Sequence, residues 1–165
     1  MSGQADILPI PRNLEPAVLA LNNAHAVELS WLEPDRLRDL LDQAFHARRI
    51  GELAAFLLSF DQDADYDSPN FLWFRQRYAR FVYIDRVAVA MAARGRGHAR
   101  ALYADLFARA VRSGHALVVC EVNQHPPNVA SDAFHAALGF APVGQATVPD
   151  GHKAVRYLAH RLMTD

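Results

Sequence analysis

The densest group of chemistry-bearing residues is the heptapeptide Arg94-Gly95-Arg96-Gly97-His98-Ala99-Arg100. It follows Phe81 to Ala90, the best strand pattern in the chain, and precedes a helical stripe of Ala99, Leu102, Leu106 and Ala110. A helix N-terminus offers up to four unpaired N–H groups and about half a positive charge. Glycines at 95 and 97 remove the Cβ atoms that would hold an anion away, and Arg94, Arg96 and Arg100 add charged donors. This order of strand, loop and helix suits a diphosphate. The loop lacks the Gly-Lys-Ser/Thr ending of a nucleotide-binding P-loop. It also lacks the third glycine of the dinucleotide fingerprint. The other groups that stand out are Asp85 inside the apolar strand, Glu121 at the end of another, Glu28 near His25, and His135 four residues after Ser131.

These groups need elements to hold them. Residues 1–15 read as an extended arm, because Pro9, Pro11 and Pro16 oppose helix. Val18 to Leu21 is a short strand candidate, and Ala24 to Leu32 a short helix. A helix begins at Pro34, with Leu37, Leu40, Leu41 and Phe45 on one face. Leu53 to Phe60 has the length of a buried strand, and Asn70 to Arg80 reads as a helix. In the helix after the arginine loop, Asp105 and Arg109 are spaced to pair on the outer face. Gly114 ends that helix. Ala116 to Val122 is a buried strand holding Cys120. Asn128 caps a last helix that runs to Gly139. Strands near 141–148 and 153–161 close the chain around Pro149-Asp150-Gly151. Strands alternating with helices predict a mixed α/β fold, and the length predicts one domain over 1–165.

Composition narrows the function classes. Of 165 residues 52% are apolar and 21% charged, which permits a sizeable core. The net charge of −1 supplies no general field for nucleic acid or an anionic membrane. The N-terminal stretch lacks the apolar centre of a signal peptide, and no apolar run approaches membrane-spanning length. A single cysteine excludes an internal disulfide, and the reading is a cytoplasmic protein.

Val87 to Leu102, through the arginine–glycine loop, resembles the acyl-CoA signature of the GNAT superfamily of N-acetyltransferases. That signature reads Arg/Gln-x-x-Gly-x-Gly/Ala, and Arg94, Gly97 and Ala99 match it. The family's second piece, Asn-x-x-Ala-x-x-x-Tyr before Gly-Phe, is echoed by Asn128, Ser131 and His135 before Gly139-Phe140. The resemblance is good over about 81–161 and rests only on element order before that. It implies a splayed, mostly antiparallel sheet flanked by helices. It implies acetyl-CoA as acyl donor, with its pyrophosphate on Arg94 to Arg100 and its pantetheine arm on the backbone of Val87, Ala88 and Val89. Asn128 and Ser131 would line the same site. The acceptor is an amine, in a small molecule, peptide or protein. Dimers are common in the family, so a homodimer is compatible with the resemblance.

Aminolysis of a thioester needs a neutral amine, a stabilised oxyanion and a proton for the thiolate. In the resembling family a carboxylate often stands where Asp85 does, which makes Asp85 the first candidate base. Glu121 and Glu28 are the alternatives, the latter lining an acceptor pocket with Asn22, Asn23 and His25. Arg86 is not expected to pair with Asp85, because strand neighbours point to opposite faces. His135 replaces the family's tyrosine and is the candidate acid for the thiolate. That departure also supports a rival reading, a CoA-binding sensor without turnover. The aspartates at 61, 63, 65 and 67 fail as a calcium loop, with Tyr66 and Leu72 where glycine and glutamate are needed. They read as a solvated loop that could attract a cationic acceptor. No histidine spacing suggests a catalytic metal.

Overall fold

The computed structural model describes residues 6–124, 127–147 and 154–163. The order is β1 (Ile7–Leu8), α1 (Glu15–Ala24), α2 (Ala26–Leu29), α3 (Pro34–Gln43), β2 (His46–Ile50), β3 (Ala55–Asp61), α4 (Pro69–Arg75), β4 (Val82–Val89), α5 (His98–Arg112), β5 (Leu117–Asn123), α6 (Val129–Ala137), β6 (Ala141–Thr147) and β7 (Ala154–Arg161). Seven strands form one sheet in the order β1-β2-β3-β4-β5-β7-β6. Every pairing is antiparallel except β4 with β5. The mixed, mostly antiparallel sheet flanked by helices is the one the family resemblance implies. The turn expected at 149–151 lies outside the described residues.

Each sheet face carries its own core. Val18, Leu37, Leu40, Phe71 and Phe74 from α1, α3 and α4 pack on one face with Phe56, Phe60, Tyr83 and Val119. Leu102, Tyr103, Leu106 and Ala110 of α5 pack on the other with Leu57, Val82, Ile84 and Val118. The apolar stripe of α5 is thus the one expected, with Tyr103 added to it. Cys120 is buried in this second core, as expected.

Several local expectations change. The first fifteen residues are not a plain arm: Ile7–Leu8 pairs with β2, Arg12–Leu14 forms a 3-10 turn and α1 starts at Glu15. Val18 to Leu21 is helical, because Pro16 sits in the first turn of α1, where its missing N–H costs nothing. α3 stops at Gln43, so Phe45 leaves the helix and packs its ring edge-on against His115. α4 ends at Arg75 rather than Arg80. β2 was hidden by its polar sequence, His-Ala-Arg-Arg-Ile. Its His46 ring meets Asp105 of α5 at 2.6 Å, so Asp105 does not pair with Arg109. Arg109 instead donates to the Ser113 hydroxyl and covers the Phe45 ring.

Candidate active site

The site begins where two strands part. β4 and β5 share only the pairs Val82↔Val118 and Tyr83↔Val119. Beyond them β4 stays with β3 as far as Ala55↔Val89, and β5 stays with β7 as far as Asn123↔Val155. Their facing edges therefore open into a cleft lined by Ile84 to Val89 and Cys120 to Asn123. His25, Glu28 and Leu29 close one end. Arg94, Gly95, Gly97, His98, Ala99 and Arg100 line an adjoining lobe with Phe134. Val87, Val89, Arg94, Tyr103, Ser131 and His135 border both lobes.

A bulge accompanies the parting. Leu58 faces Arg86 and Ser59 faces Ile84, so Asp85 has no opposite residue. The side-chain alternation slips there by one. Asp85 and Arg86 consequently share a face, and Arg86 Nε donates to Asp85 Oδ2 at 2.6 Å. This corrects the expectation that strand neighbours could not pair. The two side chains are only 4% and 7% exposed. Tyr66 donates its hydroxyl to the other Asp85 oxygen at 2.6 Å. Arg86 also donates to Asn22 Oδ1 at 2.8 Å, and Asn22 donates to the Ser30 carbonyl at 2.9 Å. Asn23 similarly binds both backbone groups of Leu32. Asn22 and Asn23 are thus fasteners for the lip that carries His25 and Glu28, rather than pocket lining.

Glu121 stands across the gap on β5. Tyr83 donates its hydroxyl to this carboxylate, at 2.7 Å from Oε2 and 2.9 Å from Oε1. Asn70 of α4 donates to Oε1 at 3.2 Å, and the Tyr157 hydroxyl donates to Asn70 Oδ1 at 2.9 Å. Burial pushes the Glu121 pKa up from 4.5 to about 7, and the Asp85 charge adds to the rise, against the lowering effect of its hydrogen bonds. A carboxylate in this state can both accept and release a proton near neutral pH.

The arginine–glycine loop joins β4 to the start of α5, in the order expected. Gly95 and Gly97 have φ of +80° and +78°. A Cβ on either would meet no protein atom within 4 Å, and each positive φ is a conformation that favours glycine. Gly97 caps α5 without a side chain, and no acidic residue occupies the first turn. The first N–H to bond back into the helix is that of Ala101, to the Gly97 carbonyl. The N–H groups of the first turn make no bond back into the helix and lie at the positive end of a 15-residue helix. Arg96 is exposed on the loop and does not line the cleft.

His135 is buried, at 6% exposure. Its Nδ1 lies 2.8 Å from the Ser131 carbonyl, which can only accept, so Nδ1 carries the proton. Its Nε2 lies 2.8 Å from the Tyr103 hydroxyl and accepts from it. Burial lowers the His135 pKa, outweighing the pull of the Ser131 carbonyl. At neutral pH the ring is uncharged. Asn128 caps α6 by accepting from the Ser131 N–H at 3.1 Å, which fixes the turn that holds His135.

The structure therefore gathers Asp85, Glu121, His135, Val87 to Val89, Arg94, Asn128 and Ser131 around one cleft, with Glu28 at its rim. The four aspartates at 61 to 67 are not among its lining residues; Asp67 meets Arg36 instead. The sequence reading did not place Tyr83, Asn70 and Tyr157 around Glu121, nor Tyr103 beside His135. Tyr103 left one usable signal: it lies four residues after Ala99, on the stripe that α5 buries. Among the described residues, no cluster of histidine, cysteine, aspartate and glutamate is arranged to hold a metal ion, and no helix is long and apolar enough to cross a membrane.

Known proteins place this architecture. The ribosomal-protein-S18-alanine N-acetyltransferase from Escherichia coli superposes with a TM-score of 0.71 at 19% identity, over 98% of this chain and 96% of that one. NAA60 from Arabidopsis thaliana, solved with acetyl-CoA, gives 0.72 at 15% identity, over 96% and 98%. The acetyltransferase yncA from Salmonella typhimurium, described as putative and solved with acetyl-CoA, gives 0.70 at 19% identity, over 99% and 96%. No curated protein matches the sequence. At these identities the superpositions show a shared fold, whereas a profile of the acetyltransferase (GNAT) family matches the sequence itself over residues 15–140. The chain belongs to the GNAT family of acetyltransferases, and so to the acyltransferase enzymes.

Proposed function

We propose that the protein transfers an acetyl group from acetyl-CoA to an amine, with Glu121 as the base. The observation that carries this reading is the cleft itself, with an anion-ready helix end beside one lobe and a carboxylate of pKa about 7 in the other. The pyrophosphate of the donor fits the N–H groups of α5 with Arg94 and Arg100. Its pantetheine amides fit the free edge of β4 at Val87 to Val89, where the ligand takes the place of a missing strand. His98 and Ala99 line that lobe, and Asn128 and Ser131 border the gap. The acceptor amine enters past Glu28 and His25. Asp85, favoured as base by the sequence pattern, is ion-paired with the Arg86 guanidinium, whereas the Glu121 carboxylate takes hydrogen bonds only from the neutral Tyr83 and Asn70, which favours Glu121 for proton removal.

The test is calorimetric titration with acetyl-CoA, followed by free-thiol release with a panel of small amines, amino acids and peptide N-termini. Binding together with acceptor-dependent thiol release supports the reading. No binding overturns it. Gly97→Val probes the loop: a β-branched residue at φ +78° is strained, so the turn must rearrange. Acetyl-CoA affinity is expected to fall about tenfold, equivalent to about 1.4 kcal/mol. Equal affinity for variant and parent in the same titration removes the loop from the site.

A further inference from the structure

We infer that Tyr103 gives the departing thiolate its proton, with His135 as the residue that positions the phenol. The inference rests on the proposed acetyl transfer and deepens it. Tyr103 is 1% exposed, yet it borders both lobes of the cleft, at the junction where donor and acceptor must meet. Its ring is held edge-on by Phe134 and Phe140. Its hydroxyl is aimed by a single polar partner, His135 Nε2 at 2.8 Å. His135 is itself fixed through Nδ1 to the Ser131 carbonyl at 2.8 Å.

This arrangement assigns the roles. The Ser131 carbonyl holds the only proton of the neutral imidazole on Nδ1, pointed away from Tyr103. Nε2 is then an acceptor and has nothing to give. The phenol borders both lobes and has a proton to donate. Burial raises its pKa, and the neighbouring Cys120 and Glu121 raise it further, so it stays protonated. Rotation about the Cζ–O bond swings the proton from Nε2 towards sulfur while His135 and the phenylalanines keep the ring in place.

The step balances. The amine nitrogen bonds to the thioester carbonyl carbon and loses a proton to Glu121. The C–S bond breaks with its electron pair on sulfur, and sulfur takes the proton of Tyr103 Oη. The proton on Glu121 then returns to the phenolate through solvent in the cleft. The products are the amide and the free thiol.

The experiment compares acetyl-CoA with its selenoester analogue, whose selenolate leaves without needing a proton. For Tyr103→Phe, kcat with acetyl-CoA is expected to fall about 100-fold. With the selenoester the loss should shrink to a few-fold, and the dissociation constant for acetyl-CoA should not move. His135→Phe should lose less than Tyr103→Phe with the thioester, because it misplaces the donor without removing it. An equal loss with both donors, an unchanged thioester kcat, or a greater loss in His135→Phe overturns the inference. Should Tyr103→Phe fail to fold, 3-fluorotyrosine at position 103 keeps the shape and makes the phenol more acidic. It should change the thioester rate alone, and no change in that rate overturns the inference. Failure of the parent protein to bind acetyl-CoA would instead sink the underlying reading.

Discussion

Glu121→Gln is expected to lower kcat at pH 7 about a thousandfold, within the range for losing a general base, while making the protein more stable at pH 8. Both effects follow from one carboxylate. Glutamine keeps the volume and can still accept from Tyr83, but it takes no proton from an amine. With the Glu121 pKa at about 7, the parent rate should rise with pH up to about 7 as the base ionises, and the variant should lack that limb. Stability runs the other way. Between about 4.5, the ordinary glutamate value, and about 7, the folded protein holds a proton that the unfolded chain has released. Stability therefore falls as pH rises through that window, and the cost is fully present above it. Removing the charge recovers on the order of 3 kcal/mol at pH 8 and little at pH 4. Urea denaturation at the two pH values checks the stability; thiol release checks the rate. Parent-like turnover at pH 7 would exclude Glu121 as the base. A stability difference independent of pH would exclude the buried charge as its cause.

Asp85→Asn is expected to destabilise the fold by about 3–5 kcal/mol, because it leaves the Arg86 guanidinium buried without its counter-ion. Burial is the largest influence on Arg86 and works against its charge. The charge of Asp85 and its hydrogen bond outweigh that effect and raise the Arg86 pKa. Asparagine supplies one acceptor and no charge. The total stability of a domain is about 5–15 kcal/mol, so the variant keeps only part of it. Arg86→Met in the Asp85→Asn background removes the stranded cation and should restore part of the loss. Chemical denaturation of the two single variants and the double variant measures that coupling. A loss under about 1 kcal/mol for Asp85→Asn would show that the pair does not hold the bulge, and would return Asp85 to candidacy as the base.

Much of the arginine–glycine lobe of the cleft was legible because it lies within one stretch of chain. Strand, glycines, arginines and helix stripe follow one another from Phe81 to Ala110, and local spacing is what periodicity reads. Asn128 was legible for the same reason, since a cap acts three residues away. The surroundings of Glu121 and Asp85 were not. Asn70 meets Glu121 from 51 residues away, and Arg86 reaches Asn22 across 64. Such pairs are set by tertiary packing and leave no local mark. The bulge was hidden for a further reason: Asp85 and Arg86 look like ordinary strand neighbours, and only the register of β3 shows that the alternation slips between them. β2 escaped because His46-Ala-Arg-Arg-Ile50 shows no apolar alternation, although Ile50 and His46 are buried. Pro16 misled through its ambiguity, since proline opposes the middle of a helix and favours its start.

The parting of β4 from β5 also has a mechanical meaning. Hydrogen bonds at Val82 and Tyr83 alone stitch the four-stranded blade β1-β2-β3-β4 to the three-stranded blade β5-β7-β6. The rest of the seam is an unzipped border, and a donor bound as proposed would supply part of the missing stitching. Ligation should therefore stiffen the molecule chiefly along this seam. Amide exchange at Val87 to Val89 should slow, while the already paired rows of β3 and β7 change little. In the proposed placement, the acyl donor would be a removable strut as well as a reactant, and product release would return the protein to its two-bladed state.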